Sequence, residues 1–595
     1  MTLGARGDWE ARIGRRSAVS ETARRRLPPP SGLTAQPGAG QVTLRWEPVE
    51  GAIGYLLHRG PSPDGPWEPV DHGGKDVLSH PGPAYADTTG RPGLEAFYAI
   101  AAVAAEEDGP GALSEPVAAT PQAELAVPLQ ARIDAAGSGG RLDRVWRMIG
   151  SERLSQLFEP EGVGEEFAEA LRLARDELGA ERVRAHAIFH DDLGVFQPDG
   201  AHDFSAIDRG YDRVLELGLR PVVELSFMPR ELAADPSATV FEYGAGISLP
   251  ADWDAWGGLV GALAEHLVQR YRIEEVARWG FEVWNEANLE VFWTGSRDDY
   301  FRLYDVAVAA VKAVDERLPV GGPATAAAGW IPAFLDFVIE SGSPLDFLST
   351  HTYGNLPLDV GEALRVRGLT GVEVWWTEWG VIPTHFAPVN DSVLSATFLL
   401  HGMKSVQGRA DALAYWVVSD HFEELGRPPA LLHGGFGLMT VGNLRKPRWW
   451  ALALAQQLGD DLLPLALEGD GAGTLVDAWS ARREDGTIDV LLWNGTLDQS
   501  KERGDSMLDR EIHVELEGLT ARGYRASLAR VDATHSNVAA RWAGDEPWPD
   551  AQQLAGLHAA DVLHEESLGK IAGHGASFEL RLPMPGIARL RLRPA

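Results

Sequence analysis

Two glutamates stand at the ends of apolar, strand-forming runs among tryptophans. Glu286 lies in GFEVWNEANLEVFW, residues 280–293, and Glu378 lies in VEVWWTEWG, residues 372–380. Strand ends usually go to Gly, Asn or Asp for turning, and aromatic surroundings make an ionised carboxylate expensive. Two carboxylates in unlike apolar settings can be driven to different protonation states. One can then donate a proton while the other attacks as an anion. Further polar and aromatic residues fall at other strand-like run ends: Arg184, His186, His190, Asp191, Asp192, Glu224, Asn285, His351, Tyr353, Trp416, Asp420 and Glu424. Carboxylates, amides and indoles together suit a sugar, whose hydroxyls take bidentate polar partners and whose C–H faces stack on rings. His190, Asp191 and Asp192 do not read as a metal site. Adjacent side chains on one strand end point to opposite faces and cannot all converge. No metal or other cofactor is expected.

Something must hold these residues in a ring. From about 130 to 458, strand-like runs alternate with amphipathic stretches. The runs are LQARIDAA, RVRAHAIF, RPVVELSF, RWGFEVWN, LPVGGPA, DFLSTHTY, VEVWWTEW and ALAYWVV. In WDAWGGLVGALAEHLVQRY, Trp256, Leu259, Leu263 and Leu267 recur at helical spacing, and Ser296 is placed to cap the helix that begins at RDDY. Eight such alternations predict a (β/α)8 barrel, whose active site lies at the C-terminal strand ends. A doubly wound sheet would carry a glycine-rich phosphate loop, and no GxGxxG or GxxxxGK occurs.

Eight segments run in order along the chain and together carry a family resemblance. They include RVRAHAIFHDDLGVF, PVVELSFMP, GFEVWNEANLEVFW, LDFLSTHTYG, VEVWWTEWG, AYWVVSDHFEELG, HGGFGLMTVGNLRKPRWWAL and ARVDATHSNVAARW. The chain resembles glycoside hydrolase family 39, a family of β-xylosidases and α-L-iduronidases, which are retaining (β/α)8 enzymes. The resemblance implies Glu286 as acid/base and Glu378 as nucleophile. It implies substrate contacts from His186, Asn285, His351, Tyr353 and Trp416, with Asp192 and Glu424 as further candidates. Ala287 stands where the family usually has proline. The implied activity is a retaining exo-glycosidase on a neutral glycoside, foremost a β-xylosidase. Alternatives are an α-L-arabinosidase, β-glucosidase, β-galactosidase or α-L-iduronidase of the same family, or a non-catalytic carbohydrate-binding protein.

Flanking segments change character. Residues 28–122 hold short alternating strands, QVTLRWEPV, GYLLHRG and AFYAIAAVA, and resemble a fibronectin type III domain through Trp46, Tyr55 and Tyr98. Residues 123–458 are assigned to the barrel and 459–595 to a C-terminal β-sandwich with a helical insertion, PDAQQLAGLHAADVLHEE. Residues 1–27 read as a disordered tail, and removal of residues 1 to about 122 is expected to spare the chemistry. The chain is 595 residues long with 45 % hydrophobic residues, ample for a large core. Its net charge of −33 disfavours nucleic acid and anionic membranes as partners and is compatible with an oligosaccharide or glycoside. Cysteine is absent, which excludes disulfides and thiol chemistry. No apolar run approaches a membrane span of ~18 residues, and no hydrophobic segment follows the N-terminal arginines, so a cytoplasmic location is expected. Self-association is left open.

Overall fold

The computed structural model describes all residues except 1–8, 19–25, 72, 74–79, 106–107, 125–127, 159–160, 423 and 543–545. Its centre is a closed parallel barrel of eight strands. They are β1 (Met148–Ser151), β2 (Arg182–Ala185), β3 (Arg220–Leu225), β4 (Gly280–Val283), β5 (Val320–Thr325), β6 (Phe347–Tyr353), β7 (Glu373–Gly380) and β8 (Ala412–Tyr415). Ile149 of β1 pairs with Tyr415 of β8 and closes the ring. Helices α1 (Val163–Leu178), α2 (Ser205–Glu216), α3 (Trp253–Tyr271), α4 (Arg297–Val314), α5 (Ile331–Ser341), α6 (Val360–Arg365), α7 (Val393–Ser405) and α8 (Pro447–Gln456) follow the strands in turn. Asp252 caps α3, and its side chain accepts from the amides of Asp254 and Ala255. The expected stripe Trp256, Leu259, Leu263 and Leu267 is the buried face of that helix. Ser296 caps α4 in a reciprocal capping box with Asp299.

The first barrel strand is not the expected one. LQARIDAA supplies Leu129–Asp134, which alternates between buried and exposed positions and pairs with Leu465–Glu468 and Arg510–Glu517 in a C-terminal sheet. That alternation suits a sheet with one wet face. A barrel strand is covered on both sides, as Met148–Ser151 is throughout. This strand is short and contains Gly150, because a Cβ there would lie 2.4 Å from the Trp416 ring. The other seven runs take the places read for them, so Glu286 still follows the fourth strand and Glu378 still lies in the seventh.

Beyond the barrel, a seven-stranded and a four-stranded sheet carry the C-terminal strands. The insertion holds a helix at Ala551–Ala560. N-terminally, Thr34–Gly38, Gln41–Arg45 and Ala84–Asp87 form one antiparallel sheet. Glu68–Pro69, Gly54–Gly60, Ala96–Val103 and Val117–Ala119 form a second. Trp46, Tyr55 and Tyr98 are buried there. This unit is docked on both neighbours. The Asp359 amide donates to the Ile53 carbonyl at 2.7 Å, and the Ala39 amide donates to Asp470 at 2.7 Å.

The tail reading is corrected for residues 9–18. Residues 9–13 are helical, Trp9 is only 4 % exposed, and Arg16 bridges to Leu289 in antiparallel fashion. The remainder of 1–8 and 19–25 lies outside the described residues. Among the described residues no helix is long and apolar enough to cross a membrane.

Loss of the α4 cap gives a local test. In Ser296→Ala the Asp299 amide loses its acceptor, at a cost of about 1 kcal/mol. Hydrogen exchange in the first turn of α4 should quicken by about five-fold, with the rest of the barrel unchanged.

Candidate active site

Burial places Arg184 at the bottom of the site. It projects from β2 into the barrel and is 0 % exposed. Its guanidinium donates to Glu282 at 2.5 Å, to Glu378 at 2.7 Å and to the Asn285 side-chain oxygen at 3.0 Å. It lies 2.7 Å from Glu224 as well. The Asn285 amide is thereby oriented with its oxygen toward Arg184 and its NH2 away from it. Glu224 also meets His186 Nδ1 at 2.9 Å and accepts from Ser226. Burial would push the Glu224 carboxyl up, but Arg184 and His186 outweigh it, and it sits below the usual range.

Glu378 accepts on both oxygens, from Arg184 on Oε1 and from the Tyr353 hydroxyl on Oε2 at 2.7 Å. Burial raises its carboxyl above the usual range, and Arg184, His186 and the Tyr353 hydroxyl work against the rise. Burial, then the Glu378 charge, pushes the Tyr353 phenol well up, so that it stays a donor.

Glu286 has a different setting. It follows β4 with φ of 45°, in the left-handed region that a non-glycine residue adopts only under constraint, and its amide donates to the Ala324 carbonyl at 2.8 Å. Its Oε1 is 2.9 Å from His351 Nδ1. Burial, then Arg184 and His186, holds the His351 imidazole well below its ordinary pKa and therefore neutral. The Thr377 hydroxyl donates its one proton to Glu282 at 2.7 Å. Toward His351 Nε2, 3.1 Å away, it can then only accept. This assigns the imidazole proton to Nε2 and the lone pair to Nδ1. A lone pair facing Glu286 Oε1 favours a carboxyl that carries a proton. The neighbouring glutamates are thus held by a cation and a phenol in one case and by a neutral imidazole in the other.

Donor atoms of Glu286, His351 and Glu378 lie within 4.8 Å of one another. Such a trio could hold a divalent cation by spacing and ligand type. Arg184 already supplies positive charge to Glu378 at 2.7 Å, which works against a second cation.

These carboxyls open onto a cavity of about 220 Å³. His186, Asn285, Glu286, Tyr353, Glu378, Trp416 and Glu424 all line it. Trp416 forms a flat wall, with its ring 4.6 Å from that of His186 and 5.6 Å from the Arg184 guanidinium. Glu424 Oε2 is 3.0 Å from His385 Nε2. Burial, reinforced by Glu152, Glu378, Glu286 and Glu224, pushes the Glu424 carboxyl well up. Burial lowers His385 to about 3, so it is neutral.

Asp192 is not brought to this cavity. It binds Arg153 at 2.5 Å and His190 at 2.7 Å, and these hydrogen bonds outweigh partial burial and hold its carboxyl well below the usual range. Asp191 accepts from the Arg230 amide, and Asp420 is locked to Lys446 at 2.6 Å. His351 is wholly buried beneath the lining. Sequence reasoning missed Glu282, Thr377 and His385, and it missed a wall supplied by residues 9–16. Glu282 sits inside a strand with no strand-end signal, and His385 lies in an irregular loop.

A parallel barrel that presents two differently held glutamates at its C-terminal strand ends, beside a tryptophan face, defines a glycoside hydrolase. Residues 129–568 match Glycosyl hydrolases family 39, and the chain belongs to that family. It is 33 % identical to a β-xylosidase of Caldicellulosiruptor saccharolyticus over 74 % of this chain and 93 % of that one. It is 34 % identical to a β-xylosidase of Geobacillus stearothermophilus over 60 % and 75 %. A monomeric β-xylosidase from Caulobacter crescentus superimposes with a TM-score of 0.67 at 32 % identity, covering 78 % of this chain and 99 % of that one.

The Arg184 cluster predicts a pH-dependent stability change. Arg184→Met leaves buried carboxylates without their cation, at a cost of about 3–5 kcal/mol near neutral pH. The depressed Glu224 carboxyl contributes stability above the usual glutamate range, and this is lost as pH falls through its folded-state value. Wild type and variant should therefore converge only on acidification below the usual glutamate range, as read by thermal midpoints from pH 7 down to about pH 3.

Proposed function

We propose that the enzyme is a retaining exo-β-xylosidase, with Glu378 as nucleophile and Glu286 as acid/base. The carrying observation is the pair of carboxyls with oxygens within 4.8 Å and opposite partners. Retaining glycosidases hold their carboxyls about 5–5.5 Å apart, inverting ones roughly 6.5–9.5 Å. In the first step a Glu378 oxygen attacks the anomeric carbon. The bond to the leaving oxygen breaks, and that oxygen takes the proton held on Glu286. In the second step Glu286 removes a proton from water, the water oxygen attacks the anomeric carbon, and the bond to Glu378 breaks. Arg184 and Tyr353 stabilise the returning carboxylate.

A small, walled cavity supports removal of one terminal sugar. A neutral pentose is supported by the lining: Glu286, Glu378 and Glu424 face it, and the Arg184 cation beneath is spent on carboxylates. Arg16 and Glu10 also line the cavity, from the N-terminal segment. A uronate would want a cation paired to it. Residues 28–122 are a fibronectin type III-like domain on this reading, supported by two antiparallel sheets with Trp46, Tyr55 and Tyr98 inside.

Glu378→Ala should lower turnover by several orders of magnitude on every substrate. Added azide should restore part of it with inverted product, whereas near-native activity would remove Glu378 from the role. Glu286→Ala should keep glycosylation by a dinitrophenyl glycoside, accumulate the intermediate as a burst and lose the alkaline limb of the pH profile. Proton NMR of early product should show the substrate's anomeric configuration. A nitrophenyl β-xyloside should be cleaved more efficiently than an α-L-iduronide, and the reverse order would change the sugar without changing the mechanism.

A further inference from the structure

Residues 9–18 lie outside the family-matched region yet reach the catalytic cavity. The Ser17 amide donates to the Asn288 carbonyl at 3.0 Å, and the Glu290 amide donates to the Arg15 carbonyl at 3.2 Å. The Arg297 amide, at the start of α4, donates to the Ala18 carbonyl at 2.9 Å. The segment is therefore hydrogen-bonded along the loop that leaves Glu286. At its other end Trp9 stacks on Phe241 at 5.7 Å and meets Phe292 and His385 edge-on at 6.0 Å each. His385 is the partner of Glu424, which faces the cavity. Trp9, Glu10, Ile13, Gly14 and Arg16 all line the same space as Glu286 and Glu378.

We infer that residues 9–16 are a wall of the substrate site that sets specificity for the sugar's leaving group and steadies the terminal sugar. Ile13 and Arg16, anchored beside the loop of the proton donor, border the leaving group. Trp9 is a positioning residue, acting on Glu424 through His385. A segment hydrogen-bonded at one end and ring-packed at the other gives a fixed surface, which a mobile tail would not. The inference rests on the proposed roles of Glu286 and Glu378, since these fix which side of the cavity faces the leaving group.

The full-length chain is tested as Trp9→Ala, Ile13→Ala and Ile13→Trp, on the glycone that wild type cleaves best. Each is assayed with methyl, nitrophenyl and methylumbelliferyl aglycones. Trp9→Ala should lower kcat/KM on all three by about five- to ten-fold, chiefly through KM. Ile13→Trp should lower kcat/KM for the methylumbelliferyl glycoside several-fold more than for the methyl glycoside, and Ile13→Ala should shift that ratio the other way. A change in the ratio cannot come from partial unfolding, because unfolded enzyme is lost equally to every substrate. Should Trp9→Ala fail to fold, the two Ile13 variants decide. Efficiencies and ratios within two-fold of wild type overturn the wall. So does a several-fold rise of kcat/KM in Trp9→Ala, which would make the segment a plug. Glu378→Ala assayed beside them separates the readings: if it is dead while the wall variants match wild type, only the wall fails.

Discussion

One buried guanidinium organises the barrel's interior. Arg184 is enclosed by Glu224, Glu282, Glu378 and the Asn285 amide, all at hydrogen-bond distance. Taking that many charges out of water is costly, and it is tolerated because each guanidinium nitrogen has an acceptor. A single positive charge cannot neutralise three carboxylates. The surplus negative charge adds to burial in raising Glu378 and Glu424, while Glu224, in direct contact with both Arg184 and His186, is lowered. Chemistry follows from this imbalance. Glu378 is held in acceptor-only geometry, and the Glu282–Thr377–His351 chain ends on Glu286 with a lone pair that asks for a proton.

Much of this was legible in the sequence, for physical reasons. A glutamate ending an apolar run is a rare pattern, and both Glu286 and Glu378 carried it, with Asn285, Tyr353 and Trp416 at equivalent run ends. Capping chemistry is local, so Ser296 could be read directly. The first barrel strand could not. Leu129–Asp134 has a cleaner strand pattern than the four residues Met148–Ser151, whose Gly150 is dictated by a ring more than 260 positions later. Glu282 was hidden because its partner comes from another strand. Asp192 misled because a local ion pair with Arg153 and His190 resembles a strand-end site residue.

The N-terminal segment shows the limit most sharply. DWEARIGRR has too few apolar residues to suggest a packed element, and its one tryptophan gives no period. Trp9 is buried by residues more than 230 positions away, from the loops after β3, β4 and β7. The barrel thus takes part of its mouth from outside itself. Removal of residues 1 to about 122 cannot be neutral in geometry, since it strips lining from the cavity.

Covalent trapping tests the central claim most directly. A 2-deoxy-2-fluoro-β-xyloside with a good leaving group slows both steps by destabilising positive charge at the anomeric carbon, the second step more, so the glycosyl-enzyme accumulates. Peptide mass spectrometry of the inactivated protein should place one fluorosugar on Glu378. A label on Glu286 or Glu424, or turnover with no label at all, would contradict the account.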